Sequence, residues 1–178
     1  MTARDISKVG ICGSGIMGSG LAEVIARSNK QVIVRSRSIA SASQMKAAVE
    51  KSLEKQVAKE KISQGDADRT LANITLTDNV GDLRDCDLVI ESIIEELEPK
   101  VALFKELDAL TNPDAILATN TSTLAVVELA RATNRPDKVC GIHFFNPATL
   151  MPLVEIIRPV TASDETIETA TEIGRAHV

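Results

Sequence analysis

The chain has 178 residues, a net charge of −5 and a hydrophobic fraction of 44%, the make-up of one ordinary soluble domain with its own core. The negative balance argues against nucleic acid or an anionic membrane as main partner. With three Phe and neither Trp nor Tyr, base-stacking platforms are also missing. Cys12, Cys86 and Cys140 are widely spaced in apolar runs, so they read as buried, reduced thiols, not as a disulfide framework or a metal site. The expectation is a cytoplasmic protein with neither leader nor membrane span.

The first element is a strand at 8–12 (KVGIC), which runs directly into Gly13-Ser14-Gly15-Ile16-Met17-Gly18 and a helix predicted over 16–28. Strand, Gly-x-Gly-x-x-Gly, helix is the context that gives this motif its meaning. Gly13 supplies the tight turn, Gly15 lets the backbone approach a pyrophosphate, and Gly18 lets helix and strand pack closely. The helix start adds free N–H groups and the positive end of its dipole. A dinucleotide site is therefore expected, against the bland alternative of a tight turn that binds nothing. Asn29 stands where a left-handed residue would end the helix.

The next strand, 31–35 (QVIVR), leads into Ser36-Arg37-Ser38. In dinucleotide-binding domains an acid ~20 residues beyond the glycines holds the adenosine ribose hydroxyls. Here that position is Ser36, flanked by Arg35 and Arg37, and no Asp or Glu is nearby. A carboxylate would repel a 2′-phosphate, whereas a small hydroxyl beside guanidinium groups could bind one. The residues lean toward NADP over NAD, the alternative being two solvated arginines and NAD.

A long helix follows over 39–62, with Met45, Val49, Leu53 and Val57 on one face. Its charged residues from Glu50 to Lys61 read as a solvated face with i,i+4 pairs. A shorter helix is expected from Asp66, and another over Pro99–Leu110, with Pro suited to the first turn. A last helix is expected from Ser163–Asp164 to about Gly174. Further strands are predicted at 74–77, 87–91, 115–119, 138–144 and 153–157. They are apolar throughout, as strands covered on both faces should be. Alternating strands and helices imply an α/β fold over residues 1–178, a Rossmann-like doubly wound and mostly parallel sheet with helices on both faces.

Two later segments carry chemistry. Asn120-Thr121-Ser122-Thr123 follows one strand, His143-Phe144-Phe145-Asn146-Pro147 ends another, and Glu155 lies in the next. Ligands of open α/β sheets sit beyond the carboxyl ends of the strands, where these groups would gather. His143 is one of two histidines, with His177 the other. An imidazole there, oriented by a carboxylate, suits it to take a hydroxyl proton as an alcohol is oxidised. Neither a metal-ligand spacing nor a G-x-S-x-G nucleophile motif is present.

Taken together, GSGIMGSG, DLVIESIIEELEPK, ILATNTSTL and GIHFFNPATLMPLVEIIR resemble the L-3-hydroxyacyl-CoA dehydrogenase family, most of all its short-chain bacterial 3-hydroxybutyryl-CoA members. The resemblance implies interconversion of (S)-3-hydroxyacyl-CoA and 3-oxoacyl-CoA with NAD(P). Position by position, it implies Gly13–Gly18 as the pyrophosphate loop, with Glu95, Lys100, Asn120 and Asn146 as cofactor or site contacts. Ser122 would meet both cofactor and substrate, with His143 as catalytic base and Glu155 as its partner. Ser52 and Lys59 would touch coenzyme A, which gives part of the long helix's charge a second use.

The resemblance also implies a helical C-terminal domain, supplying a further catalytic Asn and the dimer interface, that these residues do not contain. An isolated cofactor-binding domain with little turnover is therefore the rival reading. A relative acting on a sugar acid or another hydroxy acid is the third.

Overall fold

The computed structural model describes residues 3–176, so His177 lies outside the described residues. The strands are β1 (Lys8–Cys12), β2 (Gln31–Arg35), β3 (Ile74–Thr77), β4 (Leu88–Glu91), β5 (Ile116–Thr119), β6 (Val139–Phe144) and β7 (Val154–Ile157). The helices are α1 (Ile16–Arg27), α2 (Ile39–Ala58), α3 (Gln64–Ala72), α4 (Leu97–Leu110), α5 (Val126–Arg131) and α6 (Asp164–Arg175).

The seven strands form one sheet in the order β3-β2-β1-β4-β5-β6-β7. β1 to β6 pair in parallel, and β7 joins β6 antiparallel. Because β1 connects to β2 on one side and lies beside β4 on the other, the sheet reverses its winding there, and a crevice opens at the strands' carboxyl ends.

Each face of the sheet has its own apolar layer. Leu21, Met45, Ala67 and Ile173, from α1, α2, α3 and α6, pack on one face. Leu103, Phe104, Leu107 and Leu129, from α4 and α5, pack on the other. This two-sided cover explains why the inner strands are apolar at every position, not at alternate ones. Cys12 and Cys140 are wholly enclosed, and burial pushes both thiols up to about 12 and the Cys86 thiol up to about 11, so all three stay protonated and inert.

The observed elements depart from the sequence expectations mainly at helix ends. α2 stops at Ala58, four residues before the expected Ile62. Glu60 turns left-handed at φ 55°, and the N–H groups of Glu60 and Lys61 close onto the carbonyls of Val57 and Gln56, terminating the helix. α3 starts at Gln64 because Ser63 is its cap, and Asp66 is the third helical residue, whose carboxylate returns to the Ser63 N–H. α4 starts two residues before Pro99, which still falls in the first turn. α5, only six residues long, was not expected. Asn29 does adopt the left-handed conformation, at φ 61°.

Candidate functional site

The crevice is a cleft of about 1370 Å³ running across the carboxyl ends of the strands, from the tip of β2 to the β6–β7 corner. That exceeds the ~300–1,000 Å³ of an ordinary small-ligand pocket, so the cleft has room for an extended molecule.

The glycine loop forms its centre. Gly13 has φ 121°, and a Cβ there would lie 2.3 Å from the Ser92 carbonyl oxygen. A Cβ on Gly18 would lie 2.1 Å from the Gly13 carbonyl oxygen, so both positions are closed to any side chain. Gly15 is different: a Cβ there would meet nothing within 4 Å, because it faces the open cleft. Gly15 is also the N-cap of α1 and brings no side-chain cap, which leaves the first-turn N–H groups turned outward. Ser14, Ile16 and Met17 complete this part of the wall. A bare helix start beside an empty-sided glycine is a cradle for an anionic group such as a pyrophosphate.

Toward β2 the cleft is basic and rich in hydroxyls. Arg35, Ser36, Arg37 and Ser41 line it, with no carboxylate among them. Ser36 is buried, and its hydroxyl lies 2.7 Å from that of Ser14. Arg35 is half-buried with its Nε lacking a partner, and Arg37 is exposed. Ser38 caps α2 through the Ser41 N–H, so the start of a second helix also faces this end of the cleft.

The opposite end holds the acid–base groups. His143 Nδ1 lies 2.8 Å from Glu155 Oε2. The strands dictate this contact, because His143 and Glu155 are direct partners in the β6–β7 register, and opposed residues of an antiparallel pair share a face. The His143 ring is further held by Phe145, with centroids 4.6 Å apart and planes tilted 55°. With Nδ1 engaged by the carboxylate, Nε2 is the ring nitrogen available to a ligand. Asn120 Oδ1 accepts the Phe144 N–H at 2.8 Å and ties β5 to β6. Asn146 lines the same end, beyond a cis Asn146–Pro147 bond.

Glu95 lies between the glycine loop and this end. It accepts hydrogen bonds from the Thr121 hydroxyl and from the Ser122 N–H at 3.1 Å, and Lys100 Nζ lies 3.2 Å away. Its partial burial alone would raise its pKa. The bonds from Thr121, Lys100 and Ser122 outweigh that and hold the carboxyl below its usual range. Lys100 itself is only 1% exposed, so it sits beneath the cleft floor.

The structure thus gathers Gly13–Met17, Ser36, Arg37, Glu95, Lys100, Asn120, Ser122, His143 and Asn146 around one cleft, with Gly18 packed behind the loop against the Gly13 carbonyl and Glu155 behind His143. Ser52 and Lys59 do not line it. Ser52 packs toward Gln56 further along α2, and Lys59 is the exposed C-cap of that helix. Sequence reasoning missed Glu91, Thr119 and Phe145. Glu91 did leave a signal, as an acid ending the otherwise apolar run Leu88–Ile90.

The family model described as 3-hydroxyacyl-CoA dehydrogenase, NAD binding domain, matches residues 8–177. A 3-hydroxybutyryl-CoA dehydrogenase of Mycobacterium tuberculosis is 42% identical over 168 residues, covering 94% of this chain and 58% of the relative. The pig mitochondrial hydroxyacyl-coenzyme A dehydrogenase is 37% identical over 177 residues, covering 96% and 56%. The crystal structure of (S)-3-hydroxybutyryl-CoA dehydrogenase from Ralstonia eutropha superposes with a TM-score of 0.94 at 35% identity, covering 97% of this chain and 61% of that one. The chain therefore spans between 56% and 61% of the length of these relatives.

Proposed function

Since the chain belongs to the 3-hydroxyacyl-CoA dehydrogenase family and matches its NAD binding domain, we propose that it binds a nicotinamide dinucleotide along the cleft and serves the oxidation of (S)-3-hydroxyacyl-CoA, 3-hydroxybutyryl-CoA foremost, to 3-oxoacyl-CoA, and the reverse reduction. The observation that carries this reading is the His143–Glu155 pair at one end of a cleft whose centre is a bare glycine cradle.

The residues fit the cofactor. The open face of Gly15 and the α1 N–H groups would receive the pyrophosphate. Glu95, Asn120, Ser122 and Asn146 would surround the nicotinamide end. When bound, the nicotinamide accepts or supplies the hydride. His143 Nε2 takes the proton of the substrate hydroxyl during oxidation and returns it during reduction. Glu155 keeps the imidazole proton on Nδ1, so that Nε2 is the basic nitrogen, and stabilises the imidazolium that forms. The Ser122 hydroxyl donates to the substrate oxygen. On this reading Ser52 and Lys59 meet coenzyme A outside the cleft, along α2.

At the β2 end we assign the phosphorylated cofactor, NADP, ahead of NAD. A 2′-phosphate would meet the exposed Arg37, the half-buried Arg35 and the start of α2, with no carboxylate nearby to repel it. Ser36, committed to Ser14, acts mainly by not being an acid.

The shared length with the relatives favours a second reading in which these residues bind cofactor but turn over little alone. One assay separates the readings: acetoacetyl-CoA is mixed with the protein, and the absorbance of NADPH and, separately, of NADH is followed. Oxidation faster with NADPH is the expected result. Preference for NADH overturns the phosphate assignment, and binding without oxidation supports the second reading.

A further inference from the structure

The chemistry above leaves the most deeply enclosed acid, Glu91, unused. Glu91 and Lys100 are 0% and 1% exposed, and Lys100 Nζ lies 2.5 Å from Glu91 Oε1. Taking two ions out of water costs several kcal/mol each, and an apolar pair of the same volume would pack as well or better. Packing therefore does not account for the pair.

Its remaining contacts all lead to the cleft. Glu91 Oε1 also accepts the Ile93 N–H at 2.7 Å, which fixes the segment 92–94 that walls the cleft opposite Gly13. Glu91 Oε2 accepts the Thr119 hydroxyl at 2.7 Å, at the end of β5 just before Asn120. Lys100 continues to Glu95, and Glu95 holds the 121–123 turn through Thr121, the Ser122 N–H and the Thr123 hydroxyl. Two carboxylates share one ammonium. If Glu91 lost its charge, Lys100 would turn its whole attraction on Glu95 and draw it away from Ser122.

We propose that Glu91 is a positioning residue of the cofactor site, acting through Lys100 on Glu95 and through the Ile93 N–H on the 92–94 wall. The proposal rests on the reading that the cleft binds a nicotinamide dinucleotide. It differs from a stability role in a way that can be measured, because a neutral pair of the same size restores packing without restoring the hold on Glu95.

The test is the double variant Glu91→Gln/Lys100→Met beside the unsubstituted chain, with fluorescence titration of NADH and of NADPH, thermal melting, and amide exchange at Ile93 and Ser122. The double variant is expected to melt at or above the parent temperature. It should bind the preferred cofactor about tenfold more weakly, the equivalent of one charge-assisted hydrogen bond, and exchange both amides faster. Affinity within twofold of the parent overturns the positioning role alone. Should the double variant fail to fold, Thr119→Val keeps both charges and frees one Glu91 oxygen. Binding about threefold weaker is then expected, and unchanged binding overturns the proposal. If the unsubstituted chain binds neither NADH nor NADPH, the cofactor reading itself fails and the proposal falls with it.

Discussion

The two ends of the cleft are built on different principles. At the glycine loop the surface is backbone, with turned-out N–H groups and an empty-sided Gly15, and at the β2 tip it adds two arginines and hydroxyls that bond to one another. At the β4–β7 end the charged side chains are held by one another, from Glu91 through Lys100 and Glu95 to the Ser122 N–H, and from Glu155 to His143. A backbone cradle recognises charge and shape, and it survives many side-chain changes provided nothing enters it. A side-chain network holds individual atoms in place for a reaction, and each member depends on its neighbours. Anion recognition at the glycine loop and proton transfer at His143 are thus separable along one cleft.

The separation can be broken from the chemical end first. His143→Ala should lower turnover about 10²–10⁴-fold, the range for loss of a general base, while NADPH and NADH titrations stay near parent values. Unchanged turnover would remove His143 from the mechanism, and lost cofactor binding would show that the two ends are not separable.

The glycine loop is broken by volume. Gly13→Ala places a Cβ against the Ser92 carbonyl at a φ that L residues rarely adopt. It should cost at least about 1–3 kcal/mol of stability, read as a lower melting temperature. Gly15→Ala meets no protein atom, so it should melt like the parent yet bind cofactor more weakly. Equal effects from the two substitutions would contradict the division between a structural and a ligand-facing glycine.

A third region serves as a control, remote from both ends. Arg135 Nε lies 2.8 Å from Asp108 Oδ1, and both side chains are largely enclosed near the end of α4. Burial alone would raise the Asp108 carboxyl, but bonds from Asn134 and Arg135 outweigh it and hold it below the usual range. A folded pKa below the unfolded value of about 3.9 means stability that is complete above that pH and is lost as pH falls through the folded value. Asp108→Asn should therefore cost about 2 kcal/mol near neutrality. The gap from the parent should shrink below about pH 4, in melts taken across pH. Cofactor affinity should not change, and a change would extend the network further than the cleft.

How much of this was legible in the chain depends on range. All seven strands were placed to within one residue, because a run such as Val32–Ile33–Val34 covered on both sides of a sheet leaves little choice. The end of α2 was misjudged because the left-handed turn at Glu60 falls on a residue with no special liking for it, in a stretch whose charges continue the helical pattern. α5 escaped because six residues carry less than two turns of periodicity. In the site, His143 and Glu155 stood out as residue types at strand ends. Glu91 was harder, since its meaning lies in Lys100, Thr119 and Ile93, which only the assembled sheet brings to it.

The direct pairing of His143 with Glu155 in β6 and β7 also bears on quality control. On the other face of the same hairpin, Ile142 and Phe144 enter the core and Val154 and Ile156 pack against it. Shifting β7 by one residue would detach the carboxylate from the imidazole and, in the same movement, push Glu155 into that apolar layer. A misregistered chain could not persist as a well-folded but inactive species. It would be loose, and so visible to proteases before it could compete for cofactor.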